Sequence, residues 1–269
     1  MIETHQLTKR FGSQTAVSNL NLEIRPGEWF LFLGPNGAGK TTTLRMLMGL
    51  SRPSEGSVRI AGLDPIEAGH KVRALTGYLA DDFEPYDYLS GREYLQFIAD
   101  MHQVPQKEQR PRIDHVLDLL ELGEAAARQT RDYSHGMKKK LGMAAALLHT
   151  PSVLILDEPT AELDPRTSKL IRMILRGLAD QGAAIIMSTH ILGSAEQHCD
   201  RVGIIDQGTL VRCGTPAELV AEFPGLTLED VFLELTGIAD ESKVNAFLNS
   251  RTPDRPADSI APPPGPVEP

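Results

Sequence analysis

Eight consecutive residues, Gly34 to Thr41, have the glycine-rich pattern of a loop that cradles phosphate groups. An apolar run from Trp29 to Leu33 precedes the loop and predicts a buried strand, and helix-forming residues follow from Thr42 to Leu50. A tight turn between strand and helix points successive N–H groups at one place, where the helix N-terminus adds partial positive charge. In this pattern Lys40 bridges the β- and γ-phosphates, and the Thr41 hydroxyl holds Mg²⁺. The predicted phosphate-binding residues are Gly34, Pro35, Asn36, Gly37, Ala38, Gly39, Lys40, Thr41 and Thr42.

An acidic pair, Asp157-Glu158, follows the apolar run Val153 to Leu156, which is typical of a strand covered on both faces. Open α/β sheets bind ligands at the carboxyl ends of their strands. Because the phosphate loop also follows a strand, we expect the two motifs to meet across neighbouring strands. Asp157 would then orient Mg²⁺, and Glu158 would polarise the water that attacks the γ-phosphorus. As an isolated motif, the pair fits a solvated helix cap equally well.

A histidine, His190, comes shortly after a third apolar run, Ala183 to Met187. At that edge of the sheet it could hydrogen-bond the γ-phosphate and hold the attacking water near the acidic pair. A lone histidine at a strand end is more often structural, but its place after the third core strand favours the catalytic interpretation.

The segment Tyr133 to Met137 precedes a helix that carries three lysines and an apolar stripe. Ser134 can cap this helix, and its hydroxyl, the Gly136 N–H and the helix N-terminus could form a second anion site. Local sequence alone favours an ordinary capped helix.

Apolar periodicity predicts an α/β core that is interrupted by helices. Ser90 to Glu93 forms a capping box, and apolar residues on helical spacing follow it, as does a second stripe that Gly123 ends. The apolar residues of the two stripes are Tyr94, Leu95, Phe97, Ile98 and Met101, then Ile113, Val116, Leu117 and Leu120. The predicted organisation is a core with a β subdomain at residues 1–81 and 151–237, a helical subdomain at 82–150, and an extension at 238–269 whose proline-rich part is disordered from about residue 251.

Composition limits the partners of the chain. Its 269 residues carry a net charge of −9, which does not favour nucleic acid. The two cysteines, Cys199 and Cys213, lack metal-ligand spacing and indicate a reducing compartment. No run of 18 apolar residues and no secretory signal pattern is present. We therefore expect a cytoplasmic protein that is peripheral on the inner face of the cell membrane through a partner.

These motifs, in this order, resemble the nucleotide-binding subunit of an ATP-binding cassette (ABC) transporter, over about residues 2–237. The resemblance implies a P-loop NTPase (RecA-like) core with an antiparallel β subdomain and an inserted α-helical subdomain. Gly34 to Thr41 matches the Walker A loop, and Val153 to Glu158 matches Walker B with the catalytic glutamate. The remaining matches are Phe11 as the aromatic that stacks on adenine, Tyr133 to Met137 as the signature loop, Ala161 to Asp164 as the D-loop, and His190 as the switch histidine.

In that family two cassettes dimerise head to tail, so the signature loop of one protomer closes over the ATP of the other. The resemblance therefore implies that the signature loop, with Ser134, His135, Gly136 and Met137, faces the ATP of the partner, and that Ser134 and Gly136 contact the γ-phosphate across the interface. It also implies ATP and Mg²⁺ as ligands, a second ATP-binding subunit (an identical copy or a paralogue), and a membrane-spanning permease that the helical subdomain contacts near Asp81 to Tyr88.

Three motifs depart from the family pattern. Asp81 stands where the Q-loop glutamine is usual; its carboxylate could approach Mg²⁺ or water but lacks an amide donor. In the signature loop, His135 and Met137 replace the commoner glycine and glutamine. In the D-loop, Ala161-Glu162 replaces Ser-Gly. The catalytic candidates Lys40, Glu158 and His190 are unaffected.

The segment Leu228 to Gly237 resembles the C-terminal motif of cassettes paired with ABC-2-type permeases, which mostly export their cargo; it also fits a short amphipathic helix packed on its own domain. The preferred hypothesis is an ATP-hydrolysing subunit of such an exporter. The alternatives are a soluble cassette ATPase and a nucleotide-binding regulatory subunit with little hydrolysis. A small-molecule kinase is disfavoured because no acceptor site is recognisable.

Overall fold

The computed structural model describes residues 1–190 and 197–237. The extension at 238–269, with its predicted disorder, lies outside these residues. The strands are β1 (Ile2–Phe11), β2 (Gln14–Ile24), β3 (Trp29–Leu33), β4 (Glu55–Ile60), β5 (Thr76–Leu79), β6 (Val153–Asp157), β7 (Ala184–Thr189), β8 (Arg201–Asp206) and β9 (Thr209–Gly214). The helices are α1 (Lys40–Leu47), α2 (Gly69–Leu75), α3 (Gly91–Met101), α4 (Gln106–Leu119), α5 (His135–Leu147), α6 (Pro165–Asp180), α7 (Pro216–Ala221) and α8 (Leu228–Thr236).

The strands form two sheets. The larger has the order β5-β6-β7-β3-β8-β9 and is parallel except for β9, which pairs antiparallel with β8. The smaller is antiparallel, in the order β2-β1-β4. This architecture confirms the predicted fold class: an α/β core, an antiparallel β subdomain and a helical insertion.

The strand order corrects one expectation. We expected the phosphate loop and the acidic pair to follow neighbouring strands, but β7 lies between β3 and β6 and pairs with both. The reason is that a later strand enters the sheet between two earlier ones, and local sequence patterns carry no information on that order. The carboxyl end of β7 therefore lies between the carboxyl ends of β3 and β6, at the edge of the sheet where the predicted residues meet.

The three central strands, β3, β6 and β7, are buried along their whole length because both faces of the sheet are covered. Side chains alternate between the faces. Trp29, Leu31 and Leu33 pack into the cluster that includes the long helices, whereas Phe30 and Phe32 pack with α1 and the small sheet. The carboxyl ends of these strands are thus held rigidly.

Helix α3 begins at the predicted capping box, in which Ser90 accepts from the Glu93 N–H while the Glu93 carboxylate accepts from the Ser90 N–H. The apolar residues on helical spacing lie on α3, but two of them, Phe97 and Met101, are 38% and 67% exposed. These two residues are four apart and share a face that points away from the buried Tyr94, Leu95 and Ala99. Apolar side chains therefore occupy part of the surface of α3.

The second stripe is buried as predicted, at Ile113, Val116, Leu117 and Leu120. Helix α4 nevertheless ends at Leu119, before the predicted stop at Gly123, and Glu121 takes the left-handed conformation that glycine usually supplies. The predicted helix from Thr42 likewise begins at Lys40 and ends at Leu47.

The signature helix α5 packs closely on the core. A Cβ at Gly77 of β5 would lie 2.2 Å from the Ala146 carbonyl oxygen, and one at Gly142 of α5 would lie 2.6 Å from a Leu79 methyl group. The C-terminal helix α8 also packs on the domain, through Leu228, Val231 and Phe232. None of the helices within residues 1–190 and 197–237 combines the length and the apolar content that a membrane span requires.

Candidate functional site

A cleft of about 760 Å³ opens at the carboxyl edge of β3, β7 and β6. Most of the predicted nucleotide-site residues line it together: Phe11, Asn36, Gly37, Gly39, Lys40, Thr41, Thr42, Asp81, Asp157, Glu158 and His190. Gly34, Pro35 and Ala38 are not among its lining residues. The sequence predictions missed Gln14, Thr15, Ala16, Gln207 and Gly208, which also line it. Their local sequence offers no chemical signal, because the fold brings them to the cleft from two other strand pairs.

Two glycines explain the course of the phosphate loop. Gly39 has a φ of +105°, and a Cβ there would lie 2.4 Å from the Ala16 carbonyl oxygen. Gly37 has a φ of +81° and has nothing within 4 Å of the position of a Cβ, so its backbone faces open space at the cleft. Only glycine adopts both conformations without strain, and a side chain at Gly37 would fill the space next to the loop backbone. The loop therefore suits a bound phosphate.

The Lys40 side chain is 7% exposed. Its ammonium donates hydrogen bonds to the carbonyl oxygens of Gly34 (2.6 Å) and Pro35 (3.2 Å), so it folds back over its own loop. Burial lowers the pKa of Lys40, and the nearby carboxylates of Glu158 and Asp157 partly oppose that shift. A cation with so few water contacts gains strongly from an anion in the cleft.

Ser188, which the sequence predictions missed, positions both members of the acidic pair. Its hydroxyl donates to Asp157 Oδ1 and accepts from the Glu158 N–H at 3.1 Å. The available signal was a hydroxyl side chain two residues before His190 on a strand that is otherwise largely apolar. Ser188, on β7, contacts Asp157, and His190, directly after β7, contacts Glu158, so both point towards the acids.

Asp157 fits the predicted role in Mg²⁺ binding. It is fully buried, and its Oδ2 atom has no hydrogen-bond partner among the described residues. A buried carboxylate oxygen normally has a partner, and a cation that enters with a ligand would supply one. No group of three or more metal-ligating side chains occurs within the described parts of the chain. That is consistent with Mg²⁺, which proteins usually hold through one or two carboxylates together with substrate phosphates.

Glu158 is held between two cationic or protonatable groups. His190 Nδ1 lies 2.8 Å from Glu158 Oε1, and Lys40 Nζ lies 3.7 Å from the same oxygen. Glu158 also has a φ of +47°, a left-handed conformation that costs energy in any residue but glycine. Such strain persists where surrounding contacts fix it, and it is common at functional sites.

Phe11 lies at one end of the cleft, and 56% of its surface is exposed. The Lys9 ammonium sits 4.8 Å from the centre of its ring. An exposed aromatic face beside a phosphate loop suits the stacking of a base.

Ser134 of the predicted signature loop and Asp164 of the predicted D-loop each cap a helix. Ser134 caps α5 by accepting from the Met137 N–H at 3.3 Å, and Asp164 caps α6 by accepting from the Thr167 N–H at 3.0 Å. The four signature residues do not line the cleft of their own chain. His135 instead forms an ion pair with Glu162 at 3.1 Å, so two departures from the family pattern contact each other.

Asp81 lines the cleft, but its carboxylate also contacts the signature helix. Lys139 Nζ lies 3.3 Å from Asp81 Oδ1 and 3.2 Å from the Asp81 carbonyl oxygen. Asp81, predicted as a metal ligand, thus lines the cleft and also contacts a lysine of α5.

Comparisons with known proteins agree with the fold. The sequence model of the ABC transporter family matches residues 17–161. The probable multidrug ABC transporter ATP-binding protein YbhF of Escherichia coli is 34% identical over 250 residues, which are 91% of this chain and 43% of YbhF. The uncharacterized ABC transporter ATP-binding protein YhcH of Bacillus subtilis is 42% identical over 212 residues, 78% of this chain and 68% of YhcH. The daunorubicin resistance ATP-binding protein DrrA3 of Streptomyces coeruleorubidus is 35% identical over 226 residues, 84% of this chain and 72% of DrrA3.

Solved structures are also similar. The ATP-binding subunit of an ABC transporter superposes with a TM-score of 0.82 at 28% identity, covering 87% of this chain and 99% of that one. A dimeric, post-hydrolysis structure of the cassette MJ0796 bound to ADP and Pi gives a TM-score of 0.73 at 27% identity, covering 80% of this chain and 98% of that one. The chain belongs to the ABC transporter family and has the fold of its ATP-binding subunits. It spans less than half the length of YbhF.

Proposed function

We propose that this chain binds and hydrolyses ATP to power an ABC-2-type exporter, as one half of a head-to-tail dimer on the cytoplasmic face of a membrane permease. The observation that carries this proposal is the group Lys40, Glu158 and His190 at the mouth of one cleft, with Glu158 Oε1 within 2.8 Å of the histidine and 3.7 Å of the lysine. Relatives whose names include daunorubicin resistance and multidrug transport support the export direction.

When ATP binds, the Lys40 ammonium exchanges its hydrogen bonds to the Gly34 and Pro35 carbonyl oxygens for contacts with the phosphates. The ammonium already lies beside the loop, so a small side-chain movement brings it to the β- and γ-phosphate oxygens. The loop N–H groups and the N-terminus of α1 add partial positive charge. Phe11 would stack on the adenine ring at the other end of the cleft.

Hydrolysis requires a base and a positioned water. Glu158 accepts a proton from the water while the water oxygen forms a bond to the γ-phosphorus. The bond between the γ-phosphorus and the oxygen that bridges it to the β-phosphate breaks, which gives ADP and inorganic phosphate. His190 holds the Glu158 carboxylate and can donate to the γ-phosphate from its ring. Lys40 neutralises charge on the oxygens of the transferred group.

Asp157 and Thr41 are the residues that would hold Mg²⁺, since Asp157 has a free buried oxygen and Thr41 follows the loop lysine. When bound, this ion neutralises charge on the β- and γ-phosphates. Ser188 keeps the Asp157 carboxylate in place through its hydrogen bond to the other oxygen.

The dimer supplies what one chain lacks. Ser134 and its neighbours at the start of α5 do not line their own cleft, but the exposed N-terminus of that helix can face the γ-phosphate of a partner. The cap hydroxyl and the Gly136 N–H would then bind it. Dimeric cassette structures such as that of MJ0796 support this arrangement.

An exposed aromatic patch supports contact with a permease. Tyr86, Tyr88, Phe97 and Met101 are all exposed, and the Tyr86 and Phe97 rings pack edge-to-face with centres 5.6 Å apart. A cluster of large apolar side chains on one surface is typical of an interaction site. We propose that this patch, formed by α3 and the loop before it, receives the permease.

The test of hydrolysis is Glu158→Gln. This variant removes the base but keeps the size of the side chain, so it should bind ATP with unchanged affinity and form a stable dimer on size-exclusion chromatography, with turnover lowered by at least about a hundredfold. Lys40→Ala is the companion variant and should lose ATP affinity. Wild-type turnover by Glu158→Gln would refute the proposed base.

The test of the permease surface uses a matched pair of variants. Phe97→Glu should lower the fraction of protein recovered with membranes from the native cells. Met173→Glu, at an exposed apolar position on α6, is the control. Equal recovery of both variants would remove the patch from the permease interface.

A further inference from the structure

The turn between β8 and β9 reaches the nucleotide cleft. Its two central residues, Gln207 and Gly208, line the cleft together with residues of the phosphate loop. Both have a left-handed backbone, with φ of +45° and +80°, as in the type I′ turn that joins two antiparallel strands through two residues. Such a turn favours asparagine, aspartate or glycine at its first central position, so the longer glutamine carries a conformational cost.

Backbone contacts fix this turn against the phosphate loop. The Gly208 N–H donates to the Ala38 carbonyl oxygen at 2.9 Å, and the Gly208 carbonyl oxygen accepts from the Ser18 N–H at 2.8 Å. A Cβ at Gly208 would lie 2.8 Å from the Ala16 carbonyl oxygen, so the turn also packs directly on β2. The residue before Gly208 is therefore held beside the loop without any contribution from its own side chain.

The turn lies between the two ends of the proposed nucleotide. At the adenine end, Phe11 is paired with Gln14, the first residue of β2. Two residues further along β2, Ala16 lies against Gly208, which in turn bonds to the phosphate loop. In a nucleotide with its base on Phe11 and its phosphates on the loop, the group between these ends is the ribose. The β8–β9 turn is thus level with the sugar.

The Gln207 side chain is available to a ligand. It is exposed, and its carboxamide makes no hydrogen bond within the described parts of the chain. A carboxamide has two N–H donors and a carbonyl acceptor, and a hydroxyl both donates and accepts. Phosphate oxygens only accept, and a neutral side chain adds no charge to hold them. The sugar hydroxyls are therefore the better match for this side chain.

We propose that the Gln207 carboxamide binds the 2′- and 3′-hydroxyls of the nucleotide and so determines a preference for an intact ribose. This inference rests on the proposed binding of ATP in the cleft, and it adds the residue that recognises the sugar. The cost of a left-handed glutamine is offset by this contact, because asparagine, which the turn favours, has a side chain one methylene shorter.

The test compares ATP with 2′,3′-dideoxy-ATP, which keeps the base and the phosphates but lacks both hydroxyls. Calorimetric titration in EDTA measures binding without hydrolysis. The wild-type chain should bind ATP about fivefold more tightly than the dideoxy nucleotide, within the range that one net hydrogen bond supplies. Gln207→Gly should bind both nucleotides with the weaker affinity, and it should bind inorganic triphosphate as the wild-type chain does.

The glycine variant separates recognition from folding. Because glycine adopts a positive φ without strain, the turn and its backbone contacts with the phosphate loop should persist in Gln207→Gly. Gln6→Gly is the matched control, since Gln6 is also an exposed glutamine with a left-handed backbone, at φ +48°, but does not line the cleft. This control should keep the wild-type preference for ATP.

An undiminished preference for ATP in Gln207→Gly, or equal binding of the two nucleotides by the wild-type chain, would overturn the ribose contact. A loss of triphosphate affinity as large as the loss for ATP would also overturn it, because the effect would then belong to the phosphate loop. Failure of the proposed function gives a different result, in which the wild-type chain binds neither the nucleotides nor triphosphate.

Discussion

The Ser188 hydroxyl donates a hydrogen bond to Asp157 Oδ1 and accepts one from the Glu158 backbone N–H. One side chain on β7 therefore fixes two successive acids at the end of β6. Because Ser188 is fully buried, bulk water does not compete for these hydrogen bonds.

Replacement of Ser188 by alanine should impair both stability and turnover. Asp157 would lose the donor to one buried oxygen, which typically costs about 1–3 kcal/mol of the free energy of unfolding. Asp157 and Glu158 would no longer be held in position by the Ser188 hydroxyl, so kcat should fall by about tenfold, which corresponds to about 1.4 kcal/mol in the barrier. Denaturant unfolding and steady-state ATPase assays measure the two effects. Ser168→Ala, on α6 and also buried, is the control, and unchanged kcat in Ser188→Ala would contradict the assigned role.

Phe11→Ala should weaken the binding of ATP without affecting the binding of inorganic triphosphate. Loss of a stacked base typically costs about 1–3 kcal/mol, or roughly fivefold to a hundredfold in Kd. Lys9→Met keeps the ring and removes only the cation that lies over it, so its effect should be much smaller. Calorimetric titration with both ligands is the measurement, and equal losses for ATP and triphosphate would place the adenine elsewhere.

The His135–Glu162 ion pair should contribute little to the stability of one chain. Both side chains are more than half exposed, and exposed pairs are worth about 0–1 kcal/mol. A double-mutant cycle with His135→Ala and Glu162→Ala, followed by denaturant unfolding, should give a coupling within this range that decreases at high salt. A coupling that is larger, or that salt leaves unchanged, would mean that the pair is far less exposed to solvent than the structure indicates.

The stacked rings of His102 and His149 predict a loss of stability in mild acid. Their centres are 3.8 Å apart, and burial lowers the pKa of both; for His149, with smaller contributions from the charges of His102 and Arg112, the value falls to about 4. The unfolded chain, with a histidine pKa of about 6.5, then binds more protons between that value and pH 4. The contribution is complete above pH 6.5 and is lost as the pH falls towards 4.

The size of this loss is about 1–2 kcal/mol, because His149 is only partly buried and solvent reduces the full effect. His149→Phe should flatten the dependence of unfolding free energy on pH over that window. His70→Gln changes an exposed histidine of α2 and should leave the buried pair, and hence the wild-type profile, intact. A wild-type slope in His149→Phe would show that other groups cause the acid sensitivity.

From the sequence alone, the residues that line the cleft were easier to predict than the order of the strands that carry them. Lys40, Asp157 and His190 each come after an apolar run that predicts a strand. Their residue types and their positions beyond strand ends can therefore both be inferred from short local patterns. The position of β7 between β3 and β6 could not be derived, because strand order depends on packing between distant segments. Ser188 was missed for the same reason: a serine near a strand end carries no signal until its neighbour across the sheet is known.

For the helices, too, the sequence predicts features that depend on a few consecutive residues but not those that depend on packing. The Ser90 capping box was predicted because it needs only four consecutive residues, and it is present. The exposure of Phe97 and Met101 could not be predicted, because apolar spacing does not reveal which face of a helix meets the core. Glu121 ends α4 in a left-handed conformation, although glycine is the residue from which that conformation is normally inferred.

Because β7 lies between β3 and β6, the register of this strand determines which side chains face the site. Ser188 and His190 face the acids only because they are two residues apart, and one inserted residue upstream within Ala184–Met187 would turn both away together. Length changes in most surface connections alter a single contact at a time. Here one extra codon would remove the contacts that Ser188 and His190 make with Asp157 and Glu158 at once, while all four side chains remained in the chain.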